Sequence, residues 1–232
     1  MPKVFSSGSC RLLTTINNGY GKIEPIHSMF YNFFGINFLG KLHNTKQHIQ
    51  FIKWINDEIE LPLYILRSFL TFYSLYNISG YDIRKESIKE EYNNCDCYIF
   101  EICSLKLYEK DTYQVQYELT DDYSFNLQTD RDLYNDLITI RELVPKDKSL
   151  VFMTHFRPNI IYNDNTKTIE NREILYNVLK RFCDQNNNTY LYDPSILLKK
   201  DTSLFDGKTH FTSNGHTICF EHIYEHYIEK ST

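Results

Sequence analysis

Short apolar runs, each closed by polar or turn-forming residues, restrict this chain more than any other feature. Val4–Phe5 runs into Ser6-Ser7-Gly8-Ser9, residues 97–102 read CYIFEI, residues 149–154 read SLVFMT, and residues 189–192 are closed by Asp193-Pro194. Runs of this length without polar alternation suit strands buried on both faces. Between them the spacing changes from strand-like to helical. Ile49, Ile52 and Ile55 predict a helix over 45–55 with Thr45 as N-cap, and residues 64–76 predict a second, largely buried helix. Thr129-x-x-Asp132 is a variant capping box opening a helix to about Leu143. Ile174, Val178 and Phe182 line one face of a helix over 172–183, and residues 217–228 form the last helix. Strands alternating with helices predict an α/β fold, a three-layer α/β/α arrangement around a mainly parallel sheet. Residues 105–128 depart from this pattern and read as a small hairpin or an insertion over the active edge.

The chain has 232 residues and no linker or repeat, so we expect one domain spanning 1–232. Hydrophobic residues make up 42%, which argues against disorder. A net charge of −5 with scattered basic residues gives no nucleic-acid footprint. No apolar run reaches the length of a membrane span or a signal peptide, so the expected setting is cytoplasmic and off the membrane. Reduced thiols are then expected for Cys10, Cys95, Cys97, Cys103, Cys183 and Cys219. Cys95-x-Cys97 lacks the second pair of a structural zinc site. His222-x-x-Glu225-His226 matches an inverted zinc-protease pattern but has no evident third ligand, so no metal is expected.

In a parallel sheet, ligands gather at the carboxyl ends of the strands. Gly8-Ser9-Cys10 stands at the first such end. A serine at a strand-to-helix turn exposes its hydroxyl, and nearby backbone N–H groups can receive an oxyanion. Capping the helix is the plainer role of such a serine. Asp206-Gly-Lys-Thr-His210 precedes the last helix, where a neutral imidazole can take a serine proton and a carboxylate can orient the ring. Gly40, with His43-Asn44 after it, and Glu101-Ile-Cys-Ser104 follow other apolar runs and can supply an oxyanion donor or a substrate contact. His155-Phe-Arg157-Pro158 closes another strand, and Arg157 can meet an anionic group of substrate or remain a surface arginine held by a carboxylate.

In their order along the chain these blocks resemble the SGNH/GDSL hydrolase superfamily, and within it the group named for an opening GSCFA motif. Gly8-Ser9-Cys10 matches the first block, and Asp206…His210-Phe211-Thr212…Gly215-His216 the last. Asp206 and His210 are separated by three residues instead of two, Gly40 stands loosely for the second-block glycine, and the third-block asparagine is absent. The resemblance implies Ser9 as nucleophile, His210 rather than His216 as base, and Asp206 as orienting acid. It assigns oxyanion or substrate contacts to Gly8, Cys10, Gly40, and Asn44 or Ser104. It further implies acyl transfer on a small-molecule or carbohydrate substrate without a required cofactor, acetyl-CoA being a candidate donor. Lack of an export signal tilts the expectation to acetyl transfer onto a sugar or nucleotide sugar, ahead of ester hydrolysis and of a non-catalytic binding module. Partner chains and oligomeric state carry no expectation.

Overall fold

The structure, a computed structural model, describes residues 1–19, 21–25, 42–62, 64–66, 85–86, 89–90, 92–115, 122–199, 201–207 and 209–231. Strands β1 (Lys3–Ser7), β2 (Glu24–Pro25) and β3 (Cys97–Ile102) pair in parallel. The next two strands of the parallel sheet, Ser149–Thr154 and Thr189–Tyr192, follow a small excursion described below and are β7 and β8. The sheet order is β2-β1-β3-β7-β8, every neighbour parallel. This is the expected α/β architecture, and β3 is the all-buried strand its continuous apolar run predicts.

Alternation along the strands divides the core into two layers. Phe5, Tyr98, Phe100, Leu150 and Phe152 face one side. They meet α2 (Thr45–Ile55) and α3 (Asp130–Leu143), and α5 (Glu170–Gln185) completes that layer. Val4, Cys97, Ile99, Val151 and Met153 face the other side, against α1 (Cys10–Asn17) and α7 (Ser213–Ile223). The short helices α4 (Pro158–Tyr162) and α6 (Pro194–Leu198) cover the carboxyl end beyond β7 and β8. Each of these two begins with proline, whose missing N–H is tolerated in a first turn.

Element ends differ from the sequence reading where capping chemistry acts. The last helix begins at Ser213 because Thr212 caps it, its hydroxyl accepting from Gly215 N at 3.3 Å. Thr45 is not the cap of α2; Asn44 is, accepting from Gln47 N at 2.9 Å. The helix expected over 64–76 is described only at residues 64–66, which are helical.

The described residues of 105–128, namely 105–115 and 122–128, leave the carboxyl end of β3 as a separate antiparallel sheet. Its strands β4 (Lys106–Lys110), β5 (Tyr113–Gln114) and β6 (Ser124–Leu127) lie in the order β5-β4-β6. Polar side chains of α2 fasten it: Gln50 and Gln114 exchange backbone-to-amide bonds at 3.1 and 2.9 Å, and Gln47 donates to Val115 O at 3.1 Å. Among the described residues no helix is long and apolar enough to cross a membrane.

Candidate active site

In a sheet of order 2-1-3-4-5 the chain reverses direction of growth between β1 and β3, and in such sheets ligands gather in the crevice outside the carboxyl ends of those strands. Ser9 leaves β1 at that crevice. Its backbone is extended (φ −80°, ψ 175°), and its Oγ accepts from Arg11 N at 3.3 Å, so it caps α1. Across the crevice Glu101 continues the face of β3 marked by Cys97 and Ile99, which turns its carboxylate toward α1. Glu101 has no solvent exposure, and a charge so placed must be paired.

Its partners surround it. Ser9 N donates to Glu101 Oε2 at 2.9 Å, and the Ser9 hydroxyl donates to the same oxygen. Arg11 donates to Oε1 through Nε at 2.9 Å and again through Nη2. Burial works to raise the Glu101 pKa, but Arg11 and the Ser9 bonds overcome it, so the carboxyl is held below its ordinary range. Gly8 belongs to this arrangement, because a Cβ there would stand 2.5 Å from Glu101 Cβ. The close approach it permits is that of β3's own side chain.

Beyond Arg11 the network continues to β7. Arg11 Nη1 donates to His155 Nε2 at 3.0 Å, and Arg172 Nη2 donates to the same nitrogen at 2.9 Å. Guanidinium groups only donate, so Nε2 accepts and the ring proton sits on Nδ1, which donates to Phe156 O at 3.2 Å. Burial, then the charges of Arg11 and Arg172, push the His155 pKa far below its ordinary value, and the ring is neutral. Arg11 Nη1 also donates to Thr209 O at 2.7 Å. That bond ties α1 to the hairpin of β9 (Phe205–Asp206) and β10 (His210–Phe211).

His210 is exposed on that hairpin, its Nδ1 2.9 Å from Thr209 Oγ1, and it lies opposite Asp206 in the antiparallel register. His216, in the first turn of α7, is buried with Nδ1 2.8 Å from Thr15 Oγ1, and burial lowers its pKa to about 4. Neither histidine hydrogen-bonds to Ser9, whose hydroxyl is committed to Glu101 and to Arg11 N.

Other residues expected at the site have different employment. Arg157 is not a surface arginine facing substrate: Asp193 takes Nη2 at 2.6 Å and Nε at 3.1 Å, and Glu173 takes Nη1 at 3.0 Å. Its guanidinium also stacks over Tyr176 at 3.6 Å. Asn44 is buried, with Oδ1 capping α2 and one Nδ2 N–H donating to Lys106 O at 2.9 Å. Ser104 N donates to His43 O at 2.9 Å, and its hydroxyl accepts from Lys106 N at 3.0 Å. Cys10 is exposed beside Ser9 at the start of α1, and Gly40 lies outside the described residues.

Sequence reasoning did not reach Arg11 or Arg172; it named His155 only as part of the segment closing its strand, and it read the Glu101–Ser104 segment as an oxyanion donor or substrate contact, not as the anchor of Ser9. One signal for Glu101 was available, a lone carboxylate in an apolar strand that had to find a cation. Among the described residues no group of three or more His, Cys, Asp or Glu could hold a metal ion. His222 and His226 stack face to face, ring centroids 4.0 Å apart.

No family model matches this chain, and no curated protein matches it. Among solved structures it is similar to a crystal structure of a member of the lipolytic protein G-D-S-L family from Veillonella parvula DSM 2008. That likeness covers 98% of each chain at 10% identity, with a TM-score of 0.48. At that identity no residue of the site is carried over.

Proposed function

We propose that this chain is a serine-dependent acyl-transfer enzyme of SGNH type, GSCFA-like in its opening block, with Ser9 as nucleophile and His210 as base. The observation that carries the reading is the Arg11 bond to Thr209 O, which holds the His210 hairpin to the helix that Ser9 caps. Glu101 is a poor base, because Arg11 keeps its carboxylate ionised and weakly basic. Its role is to hold the Ser9 hydroxyl and N–H. During attack the Ser9 proton passes from its bond with Glu101 to the imidazole of His210, while Oγ bonds to the acyl carbonyl. Asp206, opposite His210 in the hairpin, is the candidate orienting acid. Ser9 N is already taken by Glu101, so the oxyanion falls to the first turn of α1, where the N–H of Cys10 has no partner within the helix.

The acyl acceptor is water or a sugar hydroxyl. With Arg157 paired to Asp193 and Glu173, its support for a nucleotide-bearing acceptor falls away. Hydrolysis of a short carbohydrate ester therefore stands level with acetyl transfer onto a sugar. A second reading, a ligand-binding module without turnover, is favoured by the Ser9 hydroxyl donating to an ionised, weakly basic carboxylate and not to a histidine. A fluorophosphonate probe separates the two. Covalent labelling that disappears in Ser9→Ala supports the enzyme, and a folded wild-type protein that never labels supports the module. Aryl acetates, and acetyl-CoA with and without a sugar acceptor, then divide hydrolysis from transfer.

A further inference from the structure

Charge does not close around Ser9. Arg11 and Arg172 bring two positive charges to the carboxyl ends of β1, β3 and β7, Glu101 brings one negative charge, and His155 between the two guanidiniums is neutral. Arg172 has no carboxylate partner among the described residues. Its bonds go to His155 Nε2 at 2.9 Å and to Phe156 O at 2.8 Å, with the guanidinium 5.4 Å from the Phe156 ring centre. Its Nε–H and part of each terminal nitrogen remain unused. Among the described residues, the other buried arginines away from Ser9, Arg141 and Arg157, are employed differently. Arg157 meets Asp193 and Glu173. Arg141 also lacks a carboxylate, but it closes the end of α3 by donating to the carbonyls of Val144, Pro145 and Lys148. Arg172 alone of the three reaches the network that holds Ser9.

We propose that Arg172, backed by Arg11, forms a subsite for a carboxylate or phosphate group, so that the molecule presented to Ser9 is an anion. A guanidinium with unused N–H groups presents a planar fork to two oxygens of such a group. Binding would compensate the surplus charge that burial and Arg11 make costly, a cost visible in the Arg172 pKa, lowered to about 10. Cys103 lies within electrostatic range of Arg11, Arg172 and Glu101, which places the residue after β3 beside the same two guanidiniums. Substrate choice then follows charge: an ester or thioester bearing an acidic group is held, and a neutral one of equal length leaves the subsite empty.

The inference about the substrate rests on the reading of Ser9 as nucleophile, whereas the subsite itself does not, and the experiment has an arm for each. In the binding arm, thermal melting is followed with succinate and with inorganic phosphate against chloride at equal ionic strength. Either anion should raise the wild-type melting temperature and leave Arg172→Gln unmoved, and the larger response identifies carboxylate or phosphate. In the kinetic arm, p-nitrophenyl hydrogen succinate is compared with p-nitrophenyl butyrate. The kcat/KM ratio should favour the anion by about tenfold or more in the wild type, the scale of one charge-assisted hydrogen bond, and fall to about one in Arg172→Gln. Should Arg172→Gln not fold, Arg172→Lys decides: it keeps the charge without the fork, and the ratio should fall only partway. No melting response to either anion, or an unchanged response in the variants, overturns the subsite. Absent fluorophosphonate labelling with an intact anion response overturns the serine chemistry and leaves the subsite standing.

Discussion

Arg157 and Arg172 approach the same edge of the sheet and have opposite fates. Arg157 leaves β7 into α4 with Asp193 and Glu173 on its guanidinium and Tyr176 beneath it. Arg172 comes from the first turn of α5 with a neutral imidazole, a carbonyl and, among the described residues, no acid. The first cluster is complete within the protein, and its charge serves the packing of α4, α5 and the β8–α6 turn. The second has its charge matched on one side, where Glu101 faces Arg11, and unmatched among the described residues on the other. A position at the end of a strand therefore does not make an arginine a ligand site. What decides is whether its charge is matched from inside the molecule.

The largest expected effect tests whether the second cluster performs chemistry. Ser9→Ala should reduce turnover and fluorophosphonate labelling by about a thousandfold or more. Its melting temperature should fall by several degrees, since the lost cap and the lost bond to the buried Glu101 carboxylate together cost about 2–4 kcal/mol. Arg157→Ala should leave labelling within a few-fold while urea unfolding shows a loss of about 3 kcal/mol, because Asp193 would remain buried without its cation. If Arg157→Ala abolished labelling and left stability intact, the contrast between the clusters would be inverted. A smaller effect is expected for Arg172→Ala in the absence of anions, a stability change of about 1 kcal/mol, since no ion pair is broken.

The last test sharpens the contrast through pH. His48 and His216 have folded pKa values lowered from 6.5 to about 4, chiefly by burial, and His155 is lowered further. A histidine lowered in the folded state protonates more readily when unfolded, so stability is lost as pH falls from about 6.5 toward 4. Glu101, lowered from 4.5, contributes stability above that pH, which is lost as pH falls through its depressed value. Urea midpoints measured from pH 7 to pH 3 should therefore decline in two stages. His216→Asn should shallow the first and Glu101→Gln the second. A midpoint constant from pH 7 to pH 5 would mean that these rings are not held neutral.

Much of the fold was legible because buried parallel strands leave continuous apolar runs, and β3 and β7 matched theirs residue for residue. Positions of Ser9, His210 and Asp206 near a strand end or before the last helix were equally readable, since turn and cap residues mark them. Bonding was not readable. Ser9 and Cys10 stand together in sequence, yet the partner of Ser9 is Glu101, and pairing across a sheet leaves no local trace. Arg157 stood out because His155-Phe-Arg157-Pro158 closes a strand, whereas Arg172 lies inside a regular helical pattern where a charged residue is ordinary. Asn44 illustrates the converse: a polar residue after an apolar run caps α2 and ties it to β4.

The contacts that make the Ser9 cluster also set when it can exist. Glu101 is 92 residues from Ser9, His155 is 144 from Arg11, and Thr209 is 198 from Arg11. Closing such long loops comes late and slowly in a parallel sheet, because chain entropy opposes each closure before any contact compensates it. The Ser9 environment is thus a product of the last assembly steps, and a refolding chain regains its helices well before Glu101, Arg11 and His155 meet. Reactivity at Ser9 would then serve as a clock for completion of the fold, lagging the helical signal in time.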